Sequence, residues 1–406
     1  MKFCDLTIAY NETSGGIRTF VDAKRRFLLE RTDHCHLLIV PGARDATEET
    51  ARTTTVTLES PLLPGQDTYR AFVRPDRIMA ALKAHAPDIV ELASPYLESW
   101  AAFAYRDQRR RAGSPSLVGA YFHTDVADAY VGAPLRAAMH DWFDEVSETL
   151  STLGERFADI AETGAEHYIG SVFQHADLAM AASDAQAARL REYDVQDVEI
   201  VPLGVDIDLF RPDRRNLELR TRHGAGPDDL VLVYAGRLSA EKHVSTLIRA
   251  LDHLPAQRKI WLWMMGHGPL RDRLAETARD HPRLRLLSFV VDRTRFAELL
   301  ASADIYVTAG PHETFGLSVL EAQASGLPVV GVEAGALLER VPPELGRLGP
   351  VDDAAAMAGN ILAIATERET IGSRARRHVE SGFTWEHTFR RWLAAYRRKS
   401  VNGRWP

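Results

Sequence analysis

The stretch that decides the fold of this chain is His312-Glu313-Thr314-Phe315-Gly316-Leu317-Ser318-Val319-Leu320-Glu321-Ala322, which continues to Gly326-Leu327-Pro328. The apolar run before it, residues 303–308, is rich in β-branched and aromatic side chains and predicts a buried strand. Apolar residues then recur three, four and seven positions apart from Phe315 onward, which predicts a helix that ends at Gly326. A strand, a turn and a helix in this order form the repeating unit of an α/β fold.

Two acidic residues of this stretch, Glu313 and Glu321, lie eight positions apart. Eight residues advance roughly 12 Å along a helix and rotate about 80° from the starting face, so we expect the two carboxylates to line one groove. The backbone N–H groups from Phe315 to Ser318 lie between them and would bind an anion such as a diphosphate. A solvated acid at a helix start explains the motif equally well when it is considered alone.

The composition sets the class of protein. A chain of 406 residues exceeds a single core, so we expect two domains. A net charge of −7 gives no general attraction to nucleic acid, and we predict no nucleic-acid partner. The chain contains no run of 18 apolar residues and no signal pattern at its start, which predicts a cytoplasmic protein. Cys4 and Cys35 are expected to be reduced, and no second ligand cluster accompanies His34 and His36, so no metal is predicted there.

The first half alternates strands and helices. A strand predicted over residues 6–10 is followed by Gly15-Gly16 and then by an amphipathic helix, which is how a doubly wound sheet begins. The two glycines would let a phosphate or a sugar approach the backbone closely, although a plain tight turn is an equally good interpretation. Further strands are predicted at 36–40, 55–58, 88–92, 117–122, 177–182 and 198–201.

A histidine follows one of these strands directly. His123 comes after the predicted strand 117–122, and the carboxyl ends of parallel strands are where such sheets bind ligands. It is therefore a candidate site residue. The alternative is a solvated loop histidine without a functional role.

The second half restarts the alternation after a linker at 202–227, where proline and charged residues are frequent. Its predicted strands are 230–234, 260–264, 284–289, 304–308 and 328–332. Gly236, Arg237 and Lys242 follow the first of them, so the two cations would lie at a strand end and a helix start. There they could clamp a diphosphate; two solvated cations are the alternative.

These motifs, in this order, resemble the retaining glycosyltransferases of family 4, which have the GT-B fold. The similarity is strongest in Gly236-Arg237-Leu238 with Glu241-Lys242, and in the pair Glu313 and Glu321, which resembles that family's E-x7-E signature. The resemblance implies an α/β protein with two Rossmann-like doubly wound domains that face an interdomain cleft. Residues 1–203 would bind the acceptor, residues 204–383 the nucleotide-sugar donor, and the helix 384–406 would cross back onto the first domain.

The resemblance also implies roles for individual residues. Arg237 and Lys242 would bind the donor diphosphate, Glu321 the ribose, and Glu313 the donor sugar. Backbone groups near Gly236 and in Thr314, Phe315, Gly316 and Leu317 would complete the donor site, and Gly15 and Gly16 would lie beside the diphosphate. His123 would stand on the acceptor side near the reactive carbon of the sugar.

The implied activity is transfer of a hexosyl group from a UDP- or GDP-sugar to a hydroxyl acceptor, without a metal ion or other cofactor. The sequence around His123 is most similar to the mannosyl and sulfoquinovosyl branch, which uses lipid or inositol-type acceptors. Such acceptors would place the protein in the cytoplasm with a peripheral contact to the inner face of the membrane. Two alternatives are a GT-B sugar-nucleotide epimerase and a non-catalytic sugar-nucleotide binding protein.

Overall fold

The computed structural model describes residues 1–11, 15–63, 68–123 and 148–399, with the backbone alone described between 148 and 161. The chain forms two compact units. The first comprises Met1–Pro202 together with the chain from Phe389 onward, and the second is Leu203–Thr388.

The described part of the first unit is built on one sheet in the order β3-β4-β2-β1-β5-β6-β7-β8. Its strands are β1 Lys2–Leu6, β2 Cys35–Gly42, β3 Ala46–Glu49, β4 Thr53–Glu59, β5 Ile89–Leu92, β6 Leu117–Phe122, β7 Leu178–Ala181 and β8 Val198–Ile200. Neighbouring strands run parallel except for β3 and β4, which are antiparallel. The chain order reverses at β1, so this is a doubly wound sheet.

The helices of this unit cover the sheet with their apolar stripes. They are α1 Gly16–Arg31, α2 Pro75–His85, α3 Glu98–Arg111, α4 Glu148–His175 and α5 Asp184–Glu192. Phe20, Val21, Phe27 and Leu28 of α1 are buried, as the amphipathic spacing predicted.

The first strand lies earlier than predicted. β1 spans Lys2–Leu6, and the predicted strand over 6–10 is wrong. The core contains three apolar residues of β1, Phe3, Cys4 and Leu6. Asp5 between them is also buried, and its charge is tolerated there because Lys24 pairs with it. A charged residue in a fully buried strand interrupts the apolar run by which such strands are identified from sequence.

The second unit repeats the plan with a sheet in the order β11-β10-β9-β12-β13-β14. Its described strands are β9 Leu230–Ala235, β10 Ile260–Met265, β11 Leu284–Leu287, β12 Ile305–Val307, β13 Val329–Val332 and β14 Gly346–Gly349. All neighbouring pairs run parallel. Two doubly wound sheets, the first mostly and the second entirely parallel in its described strands, therefore confirm the predicted α/β class.

The helices that follow are α6 Leu217–Arg222, α7 Val244–His253, α8 Arg271–Asp280, α9 Arg293–Ala301, α10 Leu317–Ala324, α11 Leu337–Arg340, α12 Ala354–Ile364, α13 Arg368–Gly382 and α14 Trp385–Arg398. The chain order of the second sheet reverses at β9, which pairs with β10 on one side and β12 on the other. The loops that follow β9 and β12 consequently emerge side by side at the carboxyl edge of the sheet.

The last helix, α14, begins in the second unit and belongs to the first from Phe389 onward. Its aromatic side chains pack into the core of the first unit: the Phe389 ring lies 5.4 Å from that of Phe20, and the Trp392 ring 4.8 Å from that of Phe3. Within the described residues, no helix is both long enough and apolar enough to span a membrane.

Candidate functional site

The loops after β9 and β12 bring a cation and a carboxylate together. Lys242 Nζ donates a hydrogen bond to Glu313 Oε2 at 2.9 Å, although the two residues lie 71 positions apart in the chain. Their side chains keep 25% and 20% of their surface exposed, so a ligand can still reach both groups. The strand order explains the contact, since the two loops leave adjacent strands at the same edge.

Glu313 lies just before the helix and not within it. Its second oxygen, Oε1, accepts a hydrogen bond from the Gly316 N–H at 3.0 Å. Gly316 has a φ of 80°, a left-handed conformation that suits glycine, and α10 begins only at Leu317. The predicted helix start at Phe315 is therefore wrong by two residues. The N–H groups from Phe315 to Ser318 were expected to bind an anion, but that of Gly316 donates to Glu313 instead. The N–H groups in the first turn of a helix have no acceptor within that helix, so those of α10 can still bind an anion.

The backbone of Glu313 is fixed by a neighbouring loop. The Ala336 N–H donates to the Glu313 carbonyl at 2.8 Å. Gly335 before it has a φ of 55°, and a Cβ atom there would lie 2.8 Å from the same carbonyl. On the other side, Arg340 Nε donates to the Phe315 carbonyl at 3.2 Å, and its guanidinium lies 4.3 Å from the centre of the Phe315 ring. Phe315 is buried and Thr314 half-buried.

Glu321 lies within α10 and is 4% exposed. Arg293, the first residue of α9, donates a hydrogen bond to its Oε1 atom. Burial raises the pKa of the Glu321 carboxyl, and the positive charge of Arg293 opposes that rise. Sequence reasoning missed Arg293, because nothing in the local pattern shows which face of α9 meets α10.

Arg237 extends into solvent from the loop after β9. Its side chain is 56% exposed, and its guanidinium lies 3.9 Å from the Glu241 carboxylate. Its carbonyl accepts a hydrogen bond from Tyr234 Oη at 2.8 Å. The loop is tightly packed at Gly236, whose carbonyl would lie 1.9 Å from a Cβ atom at Gly266.

The segment between Arg237 and α7 does not place Lys242 at a helix start, as the sequence predicted. The Ser239 hydroxyl donates to Glu241 Oε1 and caps no backbone N–H of the turn that follows. A short 3₁₀ turn spans Ala240–Lys242, and His243 then adopts a left-handed conformation with a φ of 47°. Lys242 is thus held at the end of a tight turn and not in the first turn of α7.

The two glycines of the first unit lie at the start of α1. Gly15 precedes the helix and Gly16 is its first residue, and both are exposed. A Cβ atom at Gly15 would meet no other atom within 4 Å, so packing within the described chain does not require glycine there. Residues 12–14 of the same loop lie outside the described part of the chain.

His123 directly follows β6, as predicted. Its ring stacks on that of Tyr121 with the ring centres 4.3 Å apart, and it meets the Phe20 ring edge-on at 5.0 Å. The Nε2 atom is buried and has no hydrogen-bond partner among the described residues. Burial lowers the pKa of His123 to about 3, with a further contribution from the charge of Lys24, so the imidazole is neutral at physiological pH.

The two cysteines lie in strands of the first unit. Cys4 is buried, Cys35 is half-buried, and both are free thiols. In the part of the chain for which side chains are described, no group of three or more His, Cys, Asp or Glu residues is arranged to hold a metal ion.

Two family sequence models match the chain. The one described as Glycosyltransferase Family 4 covers residues 14–209, and the one described as Glycosyl transferases group 1 covers residues 229–367. The second match contains Arg237, Lys242, Glu313 and Glu321, and the first contains His123.

Known proteins resemble the whole chain or part of it. A GDP-mannose-dependent alpha-(1-6)-phosphatidylinositol dimannoside mannosyltransferase of Mycobacterium tuberculosis is 31% identical over 100% of this chain and 98% of its own. The sulfoquinovosyl transferase SQD2 of Arabidopsis thaliana is 31% identical over 45% of this chain and 36% of its own. The structure of sucrose-phosphate synthase from Thermosynechococcus elongatus superposes with a TM-score of 0.72 at 19% identity, over 98% of both chains, which confirms the GT-B fold.

Proposed function

Because the chain belongs to glycosyltransferase family 4 and is therefore a nucleotide-sugar hexosyltransferase, we propose that it transfers mannose from GDP-mannose to a hydroxyl group of an inositol-containing glycolipid. The full-length similarity to a mannosyltransferase of that specificity supports the donor and the acceptor class. The observation that carries the donor site is the contact of Lys242 with Glu313 beside the N-terminus of α10.

The diphosphate of the donor is held by positive charge. Lys242 supplies a compact ammonium, and the exposed Arg237 supplies a guanidinium that can make two parallel hydrogen bonds to one phosphate. The N-terminus of α10 adds the positive end of a helix dipole. These groups balance the charge that develops on the leaving GDP, which is why we propose that transfer needs no metal ion.

The two carboxylates recognise hydroxyl groups at opposite ends of the donor. Glu313 accepts hydrogen bonds from the mannosyl hydroxyls, and its contacts with Lys242 and the Gly316 N–H hold it in place. Glu321 accepts hydrogen bonds from the ribose hydroxyls. The backbone from Thr314 to Leu317 faces the phosphates.

His123 acts on the acceptor side of the reaction. Since its imidazole is neutral, Nε2 can exchange a hydrogen bond with a hydroxyl group without the cost of burying a charge. Its assignment to the neighbourhood of the reactive carbon stays a prediction.

The chemical step is a front-face displacement with retention. The bond between the anomeric carbon and the β-phosphate oxygen breaks while the acceptor oxygen bonds to the same face of that carbon. The acceptor proton passes to the departing phosphate oxygen, so GDP leaves with its charge balanced by Arg237 and Lys242.

The proposal is tested by supplying purified protein with GDP-mannose, GDP-glucose or UDP-glucose, each with and without phosphatidylinositol mannosides, in buffer containing EDTA. Of the three donors, we expect only GDP-mannose to add a hexose to the phosphatidylinositol mannosides, as detected by mass spectrometry. NMR of the product should show an α-linkage. Transfer only from a UDP-sugar would refute the donor assignment. Transfer that requires added Mg²⁺ or Mn²⁺ would refute the metal-free mechanism, and epimerised donor without transfer would indicate the isomerase alternative.

A further inference from the structure

We infer that Arg293 is a positioning residue for donor recognition, which fixes the Glu321 carboxylate so that the two ribose hydroxyls of the nucleotide can donate to it. The inference rests on the proposed function, because it takes Glu321 as the ribose-binding group.

The contact is one-sided, and this leaves room for a ligand. Arg293 Nη2 donates to Oε1 of Glu321, and no hydrogen bond from a described residue reaches the other oxygen, Oε2. Arg293 keeps 44% of its side chain exposed, whereas Glu321 keeps only 6%. A nucleotide that approaches from the exposed side of Arg293 therefore meets a carboxylate whose orientation is already set.

Aromatic rings hold Arg293 in this position. Its guanidinium carbon lies 5.0 Å from the centre of the Phe210 ring and 5.1 Å from that of Phe296. The two rings pack edge-to-face, and Phe210 is fully buried. A guanidinium that lies against two aromatic rings loses less additional freedom when it binds a carboxylate.

No other described cation replaces Arg293 at Glu321. Its neighbour on α9, Arg295, pairs with Glu298 at 3.1 Å. On α13, which packs against α10, Arg376 donates to backbone carbonyls and pairs with Glu380.

The remaining polar groups near α10 are engaged elsewhere. Arg340 on α11 donates to the Phe315 carbonyl. The Tyr306 hydroxyl on β12 donates to the Ala235 carbonyl and lies within hydrogen-bond distance of Ser318 Oγ. Burial raises the pKa of that hydroxyl, and the negative charge of Glu321 contributes to the rise.

The charge of Glu321 therefore depends on Arg293. Burial raises the pKa of the carboxyl, and Arg293 opposes this through its charge and its hydrogen bond. Without Arg293 the carboxyl would take up a proton more readily at neutral pH, and its charge-assisted bonds to ribose would be lost. Since the carboxylate form returns as the pH rises, the loss of donor affinity should be largest at low pH and should shrink at high pH.

The test is a comparison of Arg293→Gln, Arg293→Lys and the matched control Arg295→Gln between pH 6 and pH 9. For Arg293→Gln we expect the KM for GDP-mannose to rise about tenfold near pH 6.5, with kcat within about twofold, and to approach the wild-type value near pH 9. Arg293→Lys should restore most of the loss, and Arg295→Gln should leave KM unchanged. A KM increase that is equal at every pH, or that Arg295→Gln reproduces, would show that Arg293 has only a structural role.

Calorimetry with GDP separates this inference from the proposed function. We expect both Glu321→Gln and Arg293→Gln to weaken GDP binding at pH 6.5. If Glu321→Gln weakens binding and Arg293→Gln does not, the inference about Arg293 alone is wrong. If Glu321→Gln binds GDP as the wild type does, the ribose assignment is wrong and the inference falls with it.

Discussion

Lys24 in the first unit and Lys242 in the second both pair with carboxylates, in surroundings that differ sharply. Lys24 is completely buried and donates to Asp5 at 2.6 Å and to Glu91. Lys242 donates to Glu313 at 2.9 Å and stays partly exposed. Both lysines lie in segments that follow the strand at which their sheet reverses order, so position in the fold does not explain the difference.

The two carboxylates that pair with Lys24 have further hydrogen-bond partners. Glu91 also accepts hydrogen bonds from Trp392 Nε1 and, at 2.9 Å, from Tyr396 Oη. Asp5 also contacts His36 Nε2 at 2.7 Å. Burial alone would raise the pKa of Asp5, but the charge of Lys24 and the hydrogen bond with His36 outweigh it and hold that pKa below its usual range.

A structural ion cluster thus differs from the Lys242–Glu313 pair, which we propose binds a ligand. A buried charge is tolerated only when its hydrogen bonds are complete, and here they join β1, α1, β5 and α14. A half-exposed pair at a strand end has no such role in the core. Its open side is available to a ligand that carries both charge and hydroxyl groups.

The largest effect that tests this comparison is on stability. We expect Lys24→Met to lower the free energy of unfolding by about 3–5 kcal/mol, because it leaves buried carboxylates without their cation. Urea unfolding monitored by circular dichroism measures it, with the exposed Lys83→Met as the matched control, for which we expect a change within about 0.5 kcal/mol. A loss below about 1 kcal/mol for Lys24→Met would contradict the structural role of the cluster.

The same substitution in the second unit should act on catalysis. Lys242→Met should change the free energy of unfolding by less than about 1 kcal/mol, since the pair is partly exposed. Transfer from GDP-mannose should fall roughly 100- to 1000-fold, because a group that stabilises the leaving diphosphate is lost. Steady-state kinetics measure this, with the exposed Lys259→Met as control. Near-normal turnover by Lys242→Met would remove Lys242 from the site.

A smaller effect comes from a buried carboxyl that pairs with no cation among the described residues. Glu98 accepts a hydrogen bond from the Ser94 hydroxyl, and no described group bonds to its Oε2 atom. Burial raises the pKa of Glu98 to about 7. The folded state therefore keeps a proton that the unfolded chain releases near pH 4.5. Its stabilising contribution is complete below that pH and is lost as the pH rises to about 7, by roughly 3 kcal/mol.

Glu98→Gln tests this directly. Glutamine does not titrate, so the wild type should lose stability relative to the variant as the pH rises from 4.5 to 7. The difference should stay level above pH 7. Urea unfolding at a series of pH values measures it. A constant difference over that range would show that Glu98 does not titrate with a raised pKa.

The parts of the fold that follow local patterns were predictable. β6 spans Leu117–Phe122 as predicted, and His123 follows it directly. The alternation of the second half placed Lys242 after β9 and Glu313 after β12. Buried charges and left-handed backbone conformations could not be predicted in this way. The charged Asp5 interrupts the apolar pattern of β1, and the left-handed conformation of Gly316 makes α10 begin at Leu317.

The sequence by itself determined the two α/β halves, the family motifs and the residues that carry charge at strand ends, because periodicity and turn chemistry act over a few neighbouring positions. Only the tertiary structure decided which of those charges meet. Lys242 reaches Glu313 across 71 positions, Arg293 reaches Glu321 across 28, and Trp392 reaches Glu91 across 301. These pairings depend on strand order and helix packing, and the same contacts set how far each charged group is buried.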